Sequence, residues 1–205
     1  MARRSDHTRE ELETLITDTA EQIVSAEGFA ALTARRIAKD IGYTPGTLYN
    51  IFGSMDGIYL AVNVRTMDKL LEALARPESD APNTPLEERL RIMAGLYMDF
   101  AHENKALWLM LFEYALTGEI DLPVWYQDKV QTLFAPLEDV LTPLFTGKEH
   151  SREHKMAARV LWSSVHGICL MRETGKIPLI SGETPYAMSD YLIENFIKGL
   201  HDRAS

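Results

Sequence analysis

Between Thr33 and Ser54 the chain reads T-A-R-R-I-A-K-D-I-G-Y-T-P-G-T-L-Y-N-I-F-G-S, and its helix starts and stops lie too close together for any long element. Thr33 is a good N-cap for about two turns over Arg35 to Ile41, and Gly42 stops them. Thr44 can cap a second short helix with Pro45 at its first position, where a missing N–H costs nothing, and Gly53 ends it. Helices of this length are not stable alone in water. Ile37, Ala38, Ile41, Leu48 and Phe52 must therefore dock on something, and the small Ala38 lets a partner helix come close. That partner lies upstream. Residues 8 to 27 place Leu12, Leu15, Ile16, Thr19, Ile23 and Val24 at three- and four-residue steps, with Glu10, Glu11, Glu13, Asp18 and Glu21 opposite and Gly28 at the end. The sum is a helix-turn-helix.

Helical patterns continue to the end of the chain. Ser54 caps a fourth helix running towards Leu74. The stretch Arg76 to Pro85, with Pro77 and Pro82 inside it, reads as a linker, and Thr84 with Glu87 forms a capping-box pattern after it. Helices are expected at 85–102, 104–117, 122–145, 150–173 and 184–202, the third kinked or broken by Pro136 and Pro143. Gly118, Gly147 and Gly175 punctuate the gaps, and no segment alternates with a period of two. The expected class is all-α, with a helix-turn-helix domain over residues 1–53 and a larger helical domain over 54–205. A chain of 205 residues that is 46% apolar can bury a core without staples. The single cysteine, Cys169, excludes an internal disulfide framework and a cysteine-only zinc site. The longest apolar run, Ala106 to Phe112, is far short of a membrane span, and the N-terminus leads into a charged segment, so a cytoplasmic protein is expected.

With its apolar side docked, the helix-turn-helix leaves Arg35, Thr44, Thr47, Tyr49 and Asn50 on or near an outer face. Short hydrogen-bonding side chains near a helix N-terminus and an aromatic hydroxyl suit the major groove of DNA. Charge pulls the other way. The whole chain carries a net −9, and residues 1–53 hold six basic and eight acidic residues. Between residues 33 and 55 the balance is three basic to one acidic, so the groove-facing surface is positive although the domain is not. Few neutralised phosphates imply a shallow salt dependence, with Arg3 and Arg4 available as a minor-groove arm.

The order of this segment resembles the DNA-binding domain of the tetracycline-repressor (TetR) family of bacterial transcriptional regulators. The matching features are Gly28-Phe29, Leu32-Thr33, Ile37 to Gly42, Gly46 to Tyr49, Phe52 and Ser54. The resemblance implies DNA contacts by Arg35, Thr44, Pro45, Thr47, Tyr49 and Asn50, with the Tyr49 hydroxyl on phosphate. Pro45 can offer only an apolar contact, such as one to a thymine methyl. Family members commonly carry a lysine at the start of the fourth helix, where this chain has Met55 followed by Asp56. The resemblance also implies a second domain that binds a small molecule, and a homodimer reading the two half-sites of a palindromic operator in double-stranded DNA.

Residues 86 to 171 contain ten aromatic residues and five methionines, the material of a helical core and equally of a pocket between helices. With the resemblance, Tyr97, Trp108, Phe112, Tyr126, Trp162, His166 and Cys169 become candidates to line the site of an apolar or aromatic effector. Trp162, His166 and Cys169 share one helix face, and Leu161, Val165 and Ile168 another. Gly167 allows close helix approach, and the run Trp162-x-x-x-His166-Gly167 resembles a subgroup of the same regulators. His166 reads either as an effector contact or as a satisfied core histidine, and Cys169 as a small buried apolar group. The last helix, with Ala187, Met188, Tyr191, Leu192, Phe196, Ile197 and Leu200, has an arc broad enough for a dimer seam.

No other chemistry is indicated. His150 and His154 have metal-ligand spacing, but Arg152 lies between them and no glutamate follows the first, so a solvated helix start is expected. No phosphate loop or G-x-S-x-G occurs, and no enzyme activity, cofactor or metal is expected. Two other readings stay open at this point: a helical small-molecule-binding protein or enzyme with a vestigial DNA-binding domain, and a helical adaptor acting through protein contacts alone.

Overall fold

The computed structural model describes residues 7–75, 84–113, 122–149 and 151–204, and no strand occurs among them. Helix α1 spans Arg9–Glu27, α2 Ala34–Ile41, α3 Pro45–Phe52 and α4 Met55–Leu74. Then follow α5 (Leu86–Glu103), α6 (Lys105–Glu113), α7 (Val124–Thr132), α8 (Ala135–Leu141), α9 (Arg152–Glu173), α10 (Ile177–Ile180) and α11 (Pro185–Ala204). The Arg3 and Arg4 arm, most of the expected linker and His150 lie outside the described residues.

Local signals set most of these boundaries. Thr8 and Glu11 cap α1 reciprocally, and the Thr33 hydroxyl accepts from the Arg36 N–H at 3.2 Å. Gly42 ends α2 in the left-handed conformation, φ 75° and ψ 26°, where a side chain would be strained. The expected helix over 122–145 is instead α7, α8 and a 3₁₀ turn over Thr142–Phe145. Pro136 and Pro143 each sit in the first turn of a new element, because proline cannot continue the helix before it. One expectation about caps is corrected: the Thr44 hydroxyl makes no cap bond and lies 3.1 Å from the Thr47 hydroxyl.

The chain divides into two compact units, one of residues 1–68 with 104–126, the other of 69–103 with 127–205. In the first, α1 packs against α2, α3 and α6. Leu12, Ile16, Ile23, Val24, Ile37, Leu48, Ile58 and Val62 are buried together there with Leu107 and Met110. Each such side chain contributes about 1.5–3 kcal/mol by leaving water, which offsets the weakness of the two-turn helices. In the second unit α5 packs on α8, α9 and α11, and α11 lies along α9.

Candidate nucleic-acid interface and the second cluster

Helix α3 is eight residues long, and Leu48 is its one fully buried side chain. The rest of the expected reading surface points away from that anchor. Thr44, Asn50 and Arg35 are exposed, Tyr49 is 43% exposed, and Pro45 and Thr47 are half-buried. The structure therefore brings all six expected residues onto the surface formed by α3 and the first turn of α2.

The two neighbouring arginines of α2 differ. Arg36 is held by the Glu27 carboxylate through two hydrogen bonds of 2.9 and 2.7 Å, and by Asp40 at 2.7 Å. These partners raise its pKa above the ordinary arginine value and lower that of Glu27. Arg35 has no carboxylate partner among the described residues, so its charge is available to an anion outside the chain. Helix spacing puts Asp40 one turn from Arg36 and Lys39 one turn from Arg35, and the fold adds the Glu27 carboxylate to Arg36.

Met55, standing where the family commonly has lysine, is half-buried and packs on the core of the helix-turn-helix. Two residues on, the backbone of Gly57 passes so close to Phe52 that a Cβ would lie 2.2 Å from its carbonyl oxygen. No side chain fits there without moving the end of α3 relative to α4.

The candidate effector residues fall into separate groups. Tyr97, Trp162 and His166 come together in the second unit: the Tyr97 hydroxyl lies 2.8 Å from His166 Nδ1, and the imidazole stacks on Trp162 at 5.0 Å. Trp162 meets the edge of Phe134 at 5.4 Å, and the Arg159 guanidinium caps that ring at 4.6 Å. Arg159 is fixed by Glu138 and Gln131, both at 2.7 Å. Burial holds the His166 pKa below its ordinary value, so it is neutral at physiological pH. Trp108, Phe112 and Tyr126 belong instead to the first unit. Trp108 is fully buried against the edge of a partly exposed Phe112, and the Tyr126 hydroxyl accepts from Asn63 Nδ2 at 3.3 Å.

On α9 the expected faces are redrawn. Cys169 is fully buried, in register with the buried Leu161 and Val165 at four-residue steps, while Trp162 and His166 are half-buried. Burial pushes its thiol up to about 12, as befits an unreactive apolar group. His154 is not solvated. It is fully buried, with Nε2 2.8 Å from the Glu138 carbonyl and its ring stacked on Phe145 at 5.0 Å. The reason is tertiary: α8 covers the start of α9, and the spacing of charged neighbours gives no sign of that. Phe134, Arg159, Asn63 and the Glu27 partner of Arg36 were not marked by any local pattern. Phe134, Arg159 and Asn63 acquire their roles from contacts made across tens of residues, and Glu27 reaches Arg36 across nine.

Residues 16–62 match the family of bacterial regulatory proteins, tetR family, and residues 90–196 match the tetracyclin repressor-like C-terminal domain. The chain belongs to the TetR family. It is a DNA-binding transcriptional regulator, and its all-α architecture is that of the family. Among relatives of this TetR-family regulator, an uncharacterised helix-turn-helix transcriptional regulator of Mycobacterium tuberculosis is 27% identical over 160 residues, covering 78% of this chain and 69% of that protein. The nucleoid occlusion factor SlmA of Pectobacterium carotovorum is 26% identical over 162 residues, covering 76% and 73%. A protein of unknown function from Rhodococcus sp. RHA1 shares the fold with a TM-score of 0.73 at 16% identity, over 97% of this chain and 98% of that one. A TetR-like regulator from the same organism gives 0.62 at 20% identity, over 94% and 99%. No described helix is long and apolar enough to cross a membrane.

Proposed function

We propose that this regulator is a ligand-responsive repressor that acts in the cytoplasm by binding, not catalysis. It reads a palindromic operator as a homodimer and is released by a small apolar or aromatic effector. The observation that carries the reading is the surface of α3 and α2. Arg35, Thr44, Pro45, Thr47, Tyr49 and Asn50 face outward together while the adjacent Arg36 is neutralised internally. Thr47 and Asn50 meet base edges, Pro45 meets a thymine methyl, and Arg35 and Tyr49 meet phosphate.

Two features of the second unit support the rest. Helix α9 turns Met156, Val160, Ser163, Gly167 and Leu170 to solvent at alternating four- and three-residue steps, the spacing of a helix seam. Met156 is 50% exposed, Val160 47% and Leu170 38%, and α11 adds Ala187 and a 72%-exposed Tyr191. An apolar face with small residues at its middle suits a second copy of the chain. The buried Tyr97 with the half-buried His166 and Trp162 combines aromatic surface with one polar pair, which suits an aromatic effector. Such an effector shifts DNA affinity only by its differential affinity for the two spacings of the reading helices.

Selection of bound duplexes from a random DNA pool at low salt, with sequencing, tests this reading. An inverted repeat is expected. A folded, dimeric protein that enriches no sequence would sink the operator reading.

A further inference from the structure

Both ends of α3 are held from one short stretch at the start of α1. Tyr43 stands just before the cap residue of α3, and its hydroxyl lies 2.8 Å from His7 Nδ1. At the other end Arg9 Nη2 donates to the Ile51 carbonyl oxygen at 3.0 Å. Ile51 is in the last turn of α3, where carbonyls have no partner within the helix and a cation is favoured by the helix dipole. Between His7 and Arg9, Thr8 is locked in place. Its N–H donates to Glu11 Oε2 at 2.6 Å, and its hydroxyl accepts from the Glu11 N–H at 3.2 Å. The Thr8 N–H holds the Glu11 carboxyl below its usual pKa, which keeps it ionised as an acceptor. Three consecutive residues of set geometry thus bracket the helix that carries Thr47, Tyr49 and Asn50.

Such bracketing matters because α3 is short and has a single fully buried side chain, Leu48. Leu48, with the partly buried Ile51 and Phe52 beside it, fixes where the helix sits, and its fine rotation is left to peripheral contacts. Reading base edges requires placement to about 0.5 Å. We propose that His7 and Arg9 are positioning residues for DNA recognition, forming a clamp that acts on the two ends of α3 and not on DNA itself. This rests on α3 being the helix that meets DNA.

The test is equilibrium binding, over a series of salt concentrations, to the inverted-repeat duplex recovered by random-pool selection. Arg9→Met keeps the apolar stem and removes the donor, and Thr8→Ala loosens the clamp without changing charge. Each is expected to weaken binding by about three- to tenfold, with helicity retained and assays run well below the unfolding midpoint. The slope of log affinity against log salt is expected to stay at the unmodified value in both. A fall of about one in that slope for Arg9→Met would put Arg9 on a phosphate and overturn the proposal. Unmodified affinity in both variants would overturn it as well. If the unmodified protein selects no sequence at all, the reading of α3 itself fails and the clamp falls with it.

Discussion

In the helix-turn-helix the buried side chains are aliphatic, led by Ile16, Val24, Ile37 and Leu48, and the Arg36 ion pairs lie outside. The second unit also buries an apolar core, with Leu90, Met98, Leu141 and Ile193, and differs in what it adds to that core. It encloses His154 and Tyr97, holds the Glu173 carboxylate 3.3 Å from His102, and turns Met156, Val160, Leu170 and Leu179 to solvent. An exposed apolar ridge and enclosed polar groups are both costly for an isolated domain, so each marks a surface or a site with work to do. A module that must hold a reading helix still can be built from aliphatic packing. The second unit adds to such packing a few enclosed polar groups and an exposed apolar ridge, as the proposed contacts with a second copy and a small molecule would require.

Substitutions that test each half of this contrast differ in size. Leu48→Ala removes the anchor of α3 and should destabilise the protein by about 2–5 kcal/mol, measured by denaturant unfolding. A cost near that of an exposed site would mean that the helix-turn-helix is not held by its aliphatic core. Next in size is Gly167→Trp. Nothing lies within 4 Å of the position a Cβ would take there and the residue is exposed, so the new side chain starts into open space. Sedimentation should nevertheless show the dimer dissociation constant raised by about tenfold or more. An unchanged dimer would remove the α9 ridge from the seam.

Smaller effects separate the two arginines. Arg35→Ala should weaken DNA binding by about fivefold and lower the salt slope by about one, as for a lost phosphate contact. Arg36→Ala should leave the slope unchanged, because Glu27 and Asp40 already answer its charge. Equal slopes for the two would erase the distinction drawn from the fold. The smallest effect is pH-dependent. Burial lowers the His166 pKa below its ordinary 6.5. The stability this contributes is complete above that value and is lost as pH falls through the lowered folded value. The unfolding midpoint should therefore decline on acidification, and His166→Gln should flatten the decline.

Much of the fold could be read from residues that act locally. Thr33, Gly42, Pro45, Gly53 and Ser54 place the helix-turn-helix to within a residue or two, because caps, φ preferences and the missing proline N–H depend on immediate neighbours. The apolar face of α1 was legible for the same reason, whereas on α11 the most buried apolar residue is Ile193, outside the expected arc, and Ala187 and Tyr191 are exposed. The break of 122–145 into three elements was legible as a break, though not in its detail. The short α10 was not anticipated, since four residues carry no period.

The candidate sites divide along the same line. That Thr47, Tyr49 and Asn50 lie off the buried side of α3 set by Leu48 follows from helix spacing, whereas Arg35 joins them through the docking of α2 on α3. That Glu27 joins Asp40 on Arg36, that His154 is enclosed by α8, and that Tyr97 meets His166 across 69 residues were settled by tertiary packing. Sequence determines what lies within a turn or two, because backbone geometry fixes those distances. Partners far along the chain are chosen by how the helices pack, and side-chain identity there is compatible with several answers until the packing selects one.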